Sequence, residues 1–347
     1  MNIFKTKKKK SHIPIITATA IFLASSAFWI ADQAKAVVLP QAENPIEIYS
    51  NQTNDDLRGT LVAGIEEAKK SIVLIIYSLT DQDIIQALKK KSEEGVEVTV
   101  ICDPKASPYT PKKLGKNILV KKRYNNALMH QKILVVDGVK TWIGSANMTH
   151  DSLRVHGNLI LGFYCPELAD CVLRRADSIL KGVELPPQDI KEYNIAGQKT
   201  ELWFLPENQD AVPAIKDLIR SAKKTVRVAM FTWTRYDLAN EIIAAQKKGV
   251  DTHVVIDYNS GKGASSKVVK LLKDNGIPVY LSQSTGLLHH KFLYIDGETL
   301  VNGSANWTLA AFTKNDDCFI ILHKLTDQQR QHLDSLWEAI SDESVAP

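Results

Sequence analysis

Cysteine is scarce in this sequence: there are four in 347 residues, and none belongs to a C-x-x-C pair. No H-E-x-x-H segment occurs either, so the usual zinc-binding signatures are missing. The low cysteine content excludes a small disulfide-stapled scaffold, and the 17 glycines show no collagen-like repeat. Hydrophobic residues make up 44% of the chain and charged residues 24%, which excludes a disordered chain. The length allows two domains.

Charge is absent from the stretch Ile13 to Ala31, which follows five lysines and precedes the small-x-small pattern Ala34-Lys35-Ala36. A positive segment, an apolar run and an A-x-A site together predict an export signal. We expect cleavage after Ala36, with a retained N-terminal anchor as the alternative because the apolar run approaches the length that spans a bilayer. The protein would then be periplasmic, secreted or anchored facing outward.

The formal net charge of +4 comes mainly from this segment. Removing its six lysines and Asp32 from the totals of 43 basic and 39 acidic residues leaves 37 and 38, a net charge of −1. Total charge is therefore no argument for a nucleic-acid partner.

The four cysteines lie in two kinds of context. Cys165 and Cys171 are close enough in sequence for a disulfide, which export would permit. Cys102 ends the apolar run VTVIC and Cys318 begins CFIIL, which favours buried thiols instead. Both interpretations remain open for the first pair, since connectivity cannot be deduced from sequence.

The chain contains an internal repeat. Residues 65–103 align with residues 219–257 at a constant offset of 154, so that Gly95 falls on Gly249 and Asp103 on Asp257. Each copy predicts a helix, an apolar strand such as SIVLIIYSL, an amphipathic helix and another strand. Strands that alternate with helices indicate an α/β fold with a mixed sheet flanked by helices.

We therefore predict two similar α/β halves that form an internal pseudo-dimer, and a monomer with pseudo-twofold symmetry. The predicted segments are a signal or anchor at 1–36, a first half at 37–181, a polar, proline-containing linker at 182–198 and a second half at 199–347.

The most specific signal is a motif that occurs once in each half. Residues 130–147 are HQKILVVDGVKTWIGSAN and residues 289–306 are HHKFLYIDGETLVNGSAN. Both fit H-x-K-x4-D-x6-G-S-A-N, with seven specified positions at identical spacing. The probability that such a match arises by chance is negligible.

This duplicated pattern resembles the phospholipase D superfamily over about residues 45–340. The resemblance implies a phospholipase D-like fold and one active site between the halves, with both histidines facing one phosphodiester. It also implies a covalent phosphohistidine intermediate, with no metal and no cofactor.

The residue types suit this chemistry independently. Residues two apart on a strand share a face, so each motif histidine and the following lysine point together. The histidines, His130 and His289, can supply a nucleophile and a proton, since an unperturbed histidine pKa lies near neutrality. Positive charge, amide donors and phosphate-binding hydroxyls are expected from Lys132, Lys291, Asn147, Asn306, Ser145 and Ser304.

Asp137 and Asp296 are each followed by glycine, which is typical of a hairpin turn, so we interpret them as structural. Eleven residues after each motif asparagine stand Asn158 and Asp317, positions where the family often has an acidic residue. We expect Asp317 to keep His289 protonated as the general acid. His130, backed by Asn158, is then the predicted nucleophile.

Three other histidines, His150, His156 and His253, belong to no ligand-like cluster and are interpreted as structural, whereas His290 should face away from His289. Eight basic residues and no acidic one lie between Asp103 and Asp137. Such a patch attracts polyanions and anionic lipid head groups alike.

Three functions remain open. A phospholipid-cleaving phosphodiesterase fits the export signal and the apolar residues near the motifs, namely Leu128, Met129, Leu287 and Leu288. An exported endonuclease fits the basic stretches and the potentially base-stacking Tyr109, Tyr124 and Tyr258. A phosphatidyltransferase or a non-catalytic phosphate-binding protein is the remaining alternative. The partners are accordingly a phospholipid or membrane surface, or nucleic acid.

Overall fold

The computed structural model describes residues 36–124, 126–183, 185 and 191–347. The predicted export segment lies outside the described residues except for Ala36. Within the described part, no helix is both long and apolar enough to cross a bilayer.

The described residues of the first half form seven strands and five α-helices. They are β1 Glu47–Ser50, α1 Leu57–Glu67, β2 Ser71–Ile76, α2 Gln82–Glu93, β3 Glu97–Cys102, α3 Thr110–Leu114, β4 Leu119–Lys122, β5 Lys132–Val136, β6 Lys140–Gly144, α4 His150–Arg154, β7 Leu159–Tyr164 and α5 Pro166–Lys181.

The second half repeats this order with additional strands at both ends of the sheet. Its elements are β8 Lys191–Ile195, β9 Gln198–Leu205, α6 Ala211–Ser221, β10 Thr225–Met230, α7 Tyr236–Lys247, β11 Asp251–Asp257, α8 Tyr258–Lys262, α9 Ser266–Asp274, β12 Val279–Ser282, β13 Lys291–Ile295, β14 Thr299–Gly303, α10 Leu309–Thr313, β15 Asp317–Leu322, α11 Asp327–Asp342 and β16 Ser344–Val345.

Both sheets are mixed, as the repeat predicted. The first has the order β1-β7-β6-β5-β2-β3-β4 and the second β16-β12-β11-β10-β13-β14-β15-β9-β8. In each sheet three adjacent strands are parallel (β2, β3 and β4; β10, β11 and β12), and the remaining pairs are antiparallel. The predicted fold class of two similar α/β halves is confirmed.

The local signals in the repeat explain these elements. Ile72, Leu74 and Ile76 on β2 are fully buried, since helices cover the sheet. Helix α2 begins after Asp81, whose carboxylate accepts hydrogen bonds from the first-turn amides of Asp83 and Ile84. It ends just before Gly95, which adopts a positive φ of 88° that favours glycine.

The predicted linker is only partly a connection. Its residues 191–195 form β8, which pairs antiparallel with β9 through a turn at Ala196 and Gly197. Tyr193 and Ile195 alternate inward and are buried. This corrects the expectation of a linker over the whole of 182–198, because a short amphipathic strand was overlooked within a polar segment.

A shared hydrophobic core joins the halves. One cluster combines Ile133 and Leu159 of the first sheet with Phe292 and Ile320 of the second, and includes buried residues of α5 and α11. Two further clusters lie on the outer sides of the sheets, one in each half. Residues 36–347 accordingly form one compact unit.

All four cysteines are buried thiols, and no disulfide joins Cys165 and Cys171. The structure therefore decides between the two interpretations left open by the sequence.

Candidate active site

Each motif begins at the same edge of its sheet. Strand β5 starts at Lys132, opposite Ile76 at the end of β2, and β13 starts at Lys291, opposite Met230 at the end of β10. The loops that follow the parallel strands meet at this edge, which is where ligands bind in open α/β sheets.

The two edges are joined by hydrogen bonds between the halves. The amide of His130 donates to the carbonyl of Asp316 (2.8 Å), and the amide of His289 donates to the carbonyl of Gly157 (2.9 Å). Each loop that carries a motif histidine is thus fixed on the backbone of the opposite half, just before β15 or β7. The structure in this way brings both histidine–lysine pairs into one site.

Two buried aspartates accept hydrogen bonds from these loops. The Asp103 carboxylate accepts the amide hydrogen of Met129 (3.1 Å), and the Asp257 carboxylate accepts that of Leu288 (3.1 Å). Met129 and Leu288 immediately precede the motif histidines. Asp103 and Asp257 are therefore positioning residues. Their alignment in the internal repeat is the feature of the sequence that indicated a shared role.

The side-chain partners of the histidines are crossed between the halves. His130 Nδ1 lies 2.8 Å from Asp317 Oδ1, whereas His289 Nδ1 lies 3.0 Å from Asn158 Oδ1. This corrects the expected pairing of Asp317 with His289 and of Asn158 with His130. The sequence spacing relates a histidine to the polar residue of its own half, but the pseudo-twofold arrangement exchanges them.

The serines of the two motifs support those partners. Ser145 Oγ donates to Asn158 Oδ1 (2.7 Å) and Ser304 Oγ donates to Asp317 Oδ1 (2.6 Å). Both serines are fully buried and their amides donate to backbone carbonyls. The predicted phosphate contacts of Ser145 and Ser304 are corrected accordingly, because hydroxyls buried in this way orient the histidine partners instead.

The preceding glycines permit this packing. A Cβ atom at Gly144 would lie 2.2 Å from the carbonyl oxygen of Leu159, and one at Gly303 would lie 2.3 Å from that of Cys318. No side chain fits at such distances, so the glycines of the G-S-A-N segments are needed for the close approach of neighbouring strands.

The two lysines are buried beside aromatic rings. Lys132 Nζ donates to the carbonyl of His130 and lies 5.0 Å from the Tyr77 ring centroid. Lys291 Nζ donates to the carbonyl of His289 (2.6 Å) and lies 4.8 Å from the Phe231 ring centroid. The rings also contact the histidines, at centroid distances of 5.0 Å in both halves. Sequence reasoning missed Tyr77 and Phe231, although the offset of 154 superposes them.

Burial dominates the electrostatics of the site. It lowers the pKa of Lys132 to about 7, and it lowers the pKa of Lys291 well below the ordinary lysine value. Burial and the nearby lysine charges also lower the histidine pKa values, that of His289 strongly. Asp317 opposes this effect at His130, where it favours the charged ring. A bound phosphodiester anion would offset the positive charge that these groups share.

The motif asparagines, Asn147 and Asn306, follow β6 and β14 at equivalent positions. The Oδ1 atom of each is buried without a hydrogen-bond partner among the described residues. An unpaired buried acceptor is costly, and a substrate or water molecule can supply the missing donor.

Asp137 and Asp296 lie in the hairpin turns, at positive φ angles of 53° and 56°. The Asp137 carboxylate accepts backbone amides from Lys69, Lys70 and Ser71. Asp296 makes the matching contacts at the start of β10. Both tie the motif hairpin to the central strand and lie away from the histidines.

His290 points away from the site. Its Nε2 atom contacts Gln52 Oε1 at 2.6 Å, and its buried Nδ1 has no partner among the described residues. Burial lowers the pKa of His290 to about 3, so this ring is neutral near pH 7. The equivalent position in the first half is Gln131.

We expect His290→Gln to weaken the dependence of stability on acid. Below pH 6.5 the unfolded chain protonates His290 while the folded chain does not, so each pH unit costs about 1.4 kcal/mol of unfolding free energy until pH reaches the folded pKa. Between pH 7 and pH 5 the variant should lose about 2 kcal/mol less than the natural chain. Urea unfolding at both pH values measures this difference.

His150→Gln is the matched control, because His150 is exposed and pairs with the exposed Asp151. It should retain the natural pH dependence. An unchanged slope in His290→Gln would contradict the assignment of a neutral buried ring.

His156 lies nearer the site than the sequence indicated. Its ring centroid is 6.5 Å from that of His289. The residue belongs to no motif, and only its position two residues before Asn158 could have indicated it.

Comparison with known proteins gives a consistent result. Residues 61–180 and 215–337 match the family model described as "Cardiolipin synthase, PLD-like domain". The first relative is a mitochondrial cardiolipin hydrolase from Chlamydomonas reinhardtii, 33% identical over 124 residues, which are 35% of this chain and 55% of that protein. A cardiolipin synthase from Listeria welshimeri is 24% identical over 79% of this chain and 64% of its own. The chain thus spans less than two thirds of the curated relatives.

Among solved structures, a phosphatidylserine synthase from Haemophilus influenzae Rd KW20 superposes with a TM-score of 0.70. The match covers 89% of this chain and 88% of that one at 14% identity. At this identity the likeness concerns the fold alone.

Proposed function

Because this chain belongs to the phospholipase D superfamily, we propose that it is a phosphodiesterase that cleaves phospholipid head groups at the site formed by His130 and His289. The observation that carries the proposal is the placement of both histidine–lysine pairs in one site, with each histidine held by the opposite half. The family match over both halves and the cardiolipin-related relatives support a phospholipid substrate.

In the proposed first step His130 is the nucleophile. Asp317 accepts the hydrogen of Nδ1, which leaves the lone pair of Nε2 free to attack phosphorus. The new N–P bond places positive charge on the ring, and Asp317 stabilises that charge. His289 enters this step with both ring nitrogens protonated, because the bound phosphodiester anion raises its lowered pKa. The bond from phosphorus to the leaving oxygen breaks, and its electron pair takes the proton from Nε2 of His289.

The second step reverses the role of His289. Its Nε2 accepts a proton from water, whose oxygen attacks phosphorus as the N–P bond breaks and the electron pair returns to His130. Asn158 is neutral and stabilises a charged His289 less than a carboxylate would, which favours proton release in the first step. His130 therefore remains the proposed nucleophile and His289 the proposed acid, as predicted from the sequence. The reason is now that Asp317 contacts His130 and Asn158 contacts His289.

Lys132 and Lys291 neutralise the phosphate oxygens in both steps. The bound anion raises their lowered pKa values in turn, so that both are charged during the reaction. The side-chain amides of Asn147 and Asn306 lie at equivalent positions in the two halves.

An exposed surface on the first half suits contact with a lipid bilayer. Tyr109 and Tyr124 are 69% and 72% exposed in loops at the site edge, and Leu128 is exposed two residues before His130. Lysines lie in the same segment, among them Lys112 and Lys113 in the last turn of α3. Apolar and aromatic side chains beside basic ones are typical of binding to anionic membranes. We also propose export, which the N-terminal 36 residues favour.

The test uses the purified full chain with phosphatidylcholine, cardiolipin, and single- and double-stranded nucleic acid, in the presence of EDTA. We expect head-group release from lipid to persist in EDTA, because the nucleophile, acid and positive charges are all side chains of this chain. His130→Ala should abolish it. Nucleic-acid cleavage without lipid turnover would instead favour an exported endonuclease, and transfer to an added alcohol in place of hydrolysis would favour a phosphatidyltransferase.

A further inference from the structure

A buried ion network joins the two halves beside the first motif histidine. Arg175 on α5 is 2% exposed, and its Nη2 atom lies 3.1 Å from Glu207 Oε1 and 3.6 Å from Asp316 Oδ1. Arg123 contacts the other oxygen of Asp316 through Nε at 3.0 Å. Two guanidinium groups of the first half therefore hold one buried carboxylate of the second half.

The position of Arg175 on its helix is one that an apolar residue could fill. Helices α5 and α11 share four buried positions with the same spacing. These are Leu168, Val172, Arg175 and Ile179 on α5, and Gln329, Leu333, Leu336 and Ile340 on α11. Arg175 thus corresponds to Leu336. Since well-packed hydrophobic residues often replace a buried ion pair without loss of stability, the need for a charge here comes from Asp316 and not from packing.

Asp316 sets the position of the proposed nucleophile. Its carbonyl accepts the amide hydrogen of His130 (2.8 Å), and its own amide donates to the carbonyl of Leu128 (2.9 Å). The next residue, Asp317, contacts the His130 ring at Nδ1. A displacement of Asp316 would therefore move both the backbone and the ring of His130. A misplacement of about 1 Å can slow a reaction by about 10²-fold, because attack requires an aligned nucleophile.

The second half has no such ion network at the equivalent place. In the internal repeat, Gly157 corresponds to Asp316 and Ser282 corresponds to Arg123. Neither residue carries a charge. Among the described residues, the network is thus confined to the side of the site whose histidine forms the covalent bond in the proposed reaction.

We propose that Arg175 is a positioning residue for the nucleophile, and that its guanidinium fixes the orientation of His130 by holding Asp316. The inference rests on the proposed function, in which His130 attacks phosphorus. Arg175 acts through Asp316 and not on the substrate, because it is buried and paired with two carboxylates. Its loss should therefore slow the attack without weakening substrate binding.

The kinetic test uses the full chain carrying His289→Asn and bis(p-nitrophenyl) phosphate, whose leaving group needs no proton. Release of p-nitrophenolate in a single turnover then reports the attack by His130 alone. We expect Arg175→Met to slow this step by about 10²-fold, with the substrate concentration for half-maximal rate unchanged. Arg175→Lys should restore the rate to within about 10-fold of the natural residue, because an ammonium group can still contact both carboxylates.

Arg227→Met is the matched control. Arg227 also pairs with a carboxylate, that of Asp251, and lies 5.8 Å from the Trp337 ring centroid. On the sheet it is opposite Tyr294, at the end of β13 away from Lys291. We expect this variant to lower the temperature of thermal unfolding but to keep the rate of attack within about 2-fold, since distant sites act independently.

Asp316→Asn tests the same network with a substitution of equal shape. It keeps the backbone contacts to Leu128 and His130 but removes the charge that Arg123 and Arg175 hold. We expect it to slow the attack by about 10-fold. This variant decides the matter if Arg175→Met does not fold, and an unchanged rate would overturn the proposal.

A further measurement does not depend on turnover. In the substrate-free full chain, the buried Nδ1 hydrogen that His130 donates to Asp317 should give a downfield NMR signal. Arg175→Met should shift or remove this signal, whereas Arg227→Met should keep it. If the natural chain cleaved no phosphodiester, the proposed function would fail, while a signal that responds to Arg175 alone would still support the positioning role.

Three results would overturn the positioning role. They are equal rates of attack in Arg175→Met and Arg227→Met, a loss in Arg175→Met that saturating substrate restores, and a His130 signal that Arg175→Met leaves unchanged. A rate in Arg175→Lys as low as that in Arg175→Met would also count against it, because the charge held at Asp316 would then be immaterial.

Discussion

Replacement of His130 by asparagine is expected to abolish turnover, by about 10⁴-fold or more, and to leave no phosphate covalently attached to the protein. His289→Asn should behave differently with bis(p-nitrophenyl) phosphate, whose leaving group needs no proton. It should release about one equivalent of p-nitrophenolate in a burst and then stall, because no group remains to activate water. Mass spectrometry of the denatured variant should find the remaining p-nitrophenyl phosphoryl group on His130.

This pair of variants separates the nucleophile from the proton donor. An adduct that forms in His130→Asn, or that maps to His289, would reverse the two roles. Thermal unfolding of both variants is the control for folding, since each histidine is only 7% exposed and a substitution at this depth could disturb the packing.

Asp317→Asn is expected to lower kcat/KM by about 10³-fold, because it removes the negative charge that fixes and stabilises the His130 ring. The matched substitution on the other side is Asn158→Asp. It should lower kcat/KM by no more than about 10-fold at its own optimum. The added carboxylate raises the pKa of His289, so the limb of the pH–rate profile that reports this group should move to higher pH.

Complete pH–rate profiles of both variants measure these effects. A larger loss in Asn158→Asp than in Asp317→Asn would assign the nucleophile to His289. Since Ser304 and Ser145 donate to these side chains in the same way, the local packing is similar in the two comparisons.

The repeat in the sequence predicted most of the fold. Superposed apolar runs such as SIVLIIYSL became central strands, and the apolar run after Lys132 became β5. These are properties of single elements and their immediate neighbours, which periodicity encodes directly. The strand at 191–195 was not predicted because three of its five residues are polar, and Tyr193 and Ile195 alone make too short a pattern to distinguish it from a connection.

The partners of the histidines could not be predicted in this way. Asn158 and Asp317 lie at fixed spacings within their own halves, but the contact that matters is formed between halves, across loops fixed by Asp316 and Gly157. The alignment of the two copies is the same whether each polar residue contacts the histidine of its own half or of the other half. Only the packing of one sheet against the other decides which histidine each polar residue meets.

The crossed partners also bear on how the two halves can diverge. Two identical copies of one half, related by a strict twofold axis, would carry the same residue beside both histidines. Joining the copies in a single chain removes that constraint, so Asp317 and Asn158 can differ without a second gene or a mixed assembly. The covalent connection therefore allows the two histidines to take fixed and different roles. In a strictly symmetric dimer the two histidines would be equivalent until substrate binds, so the roles would be assigned anew at each turnover.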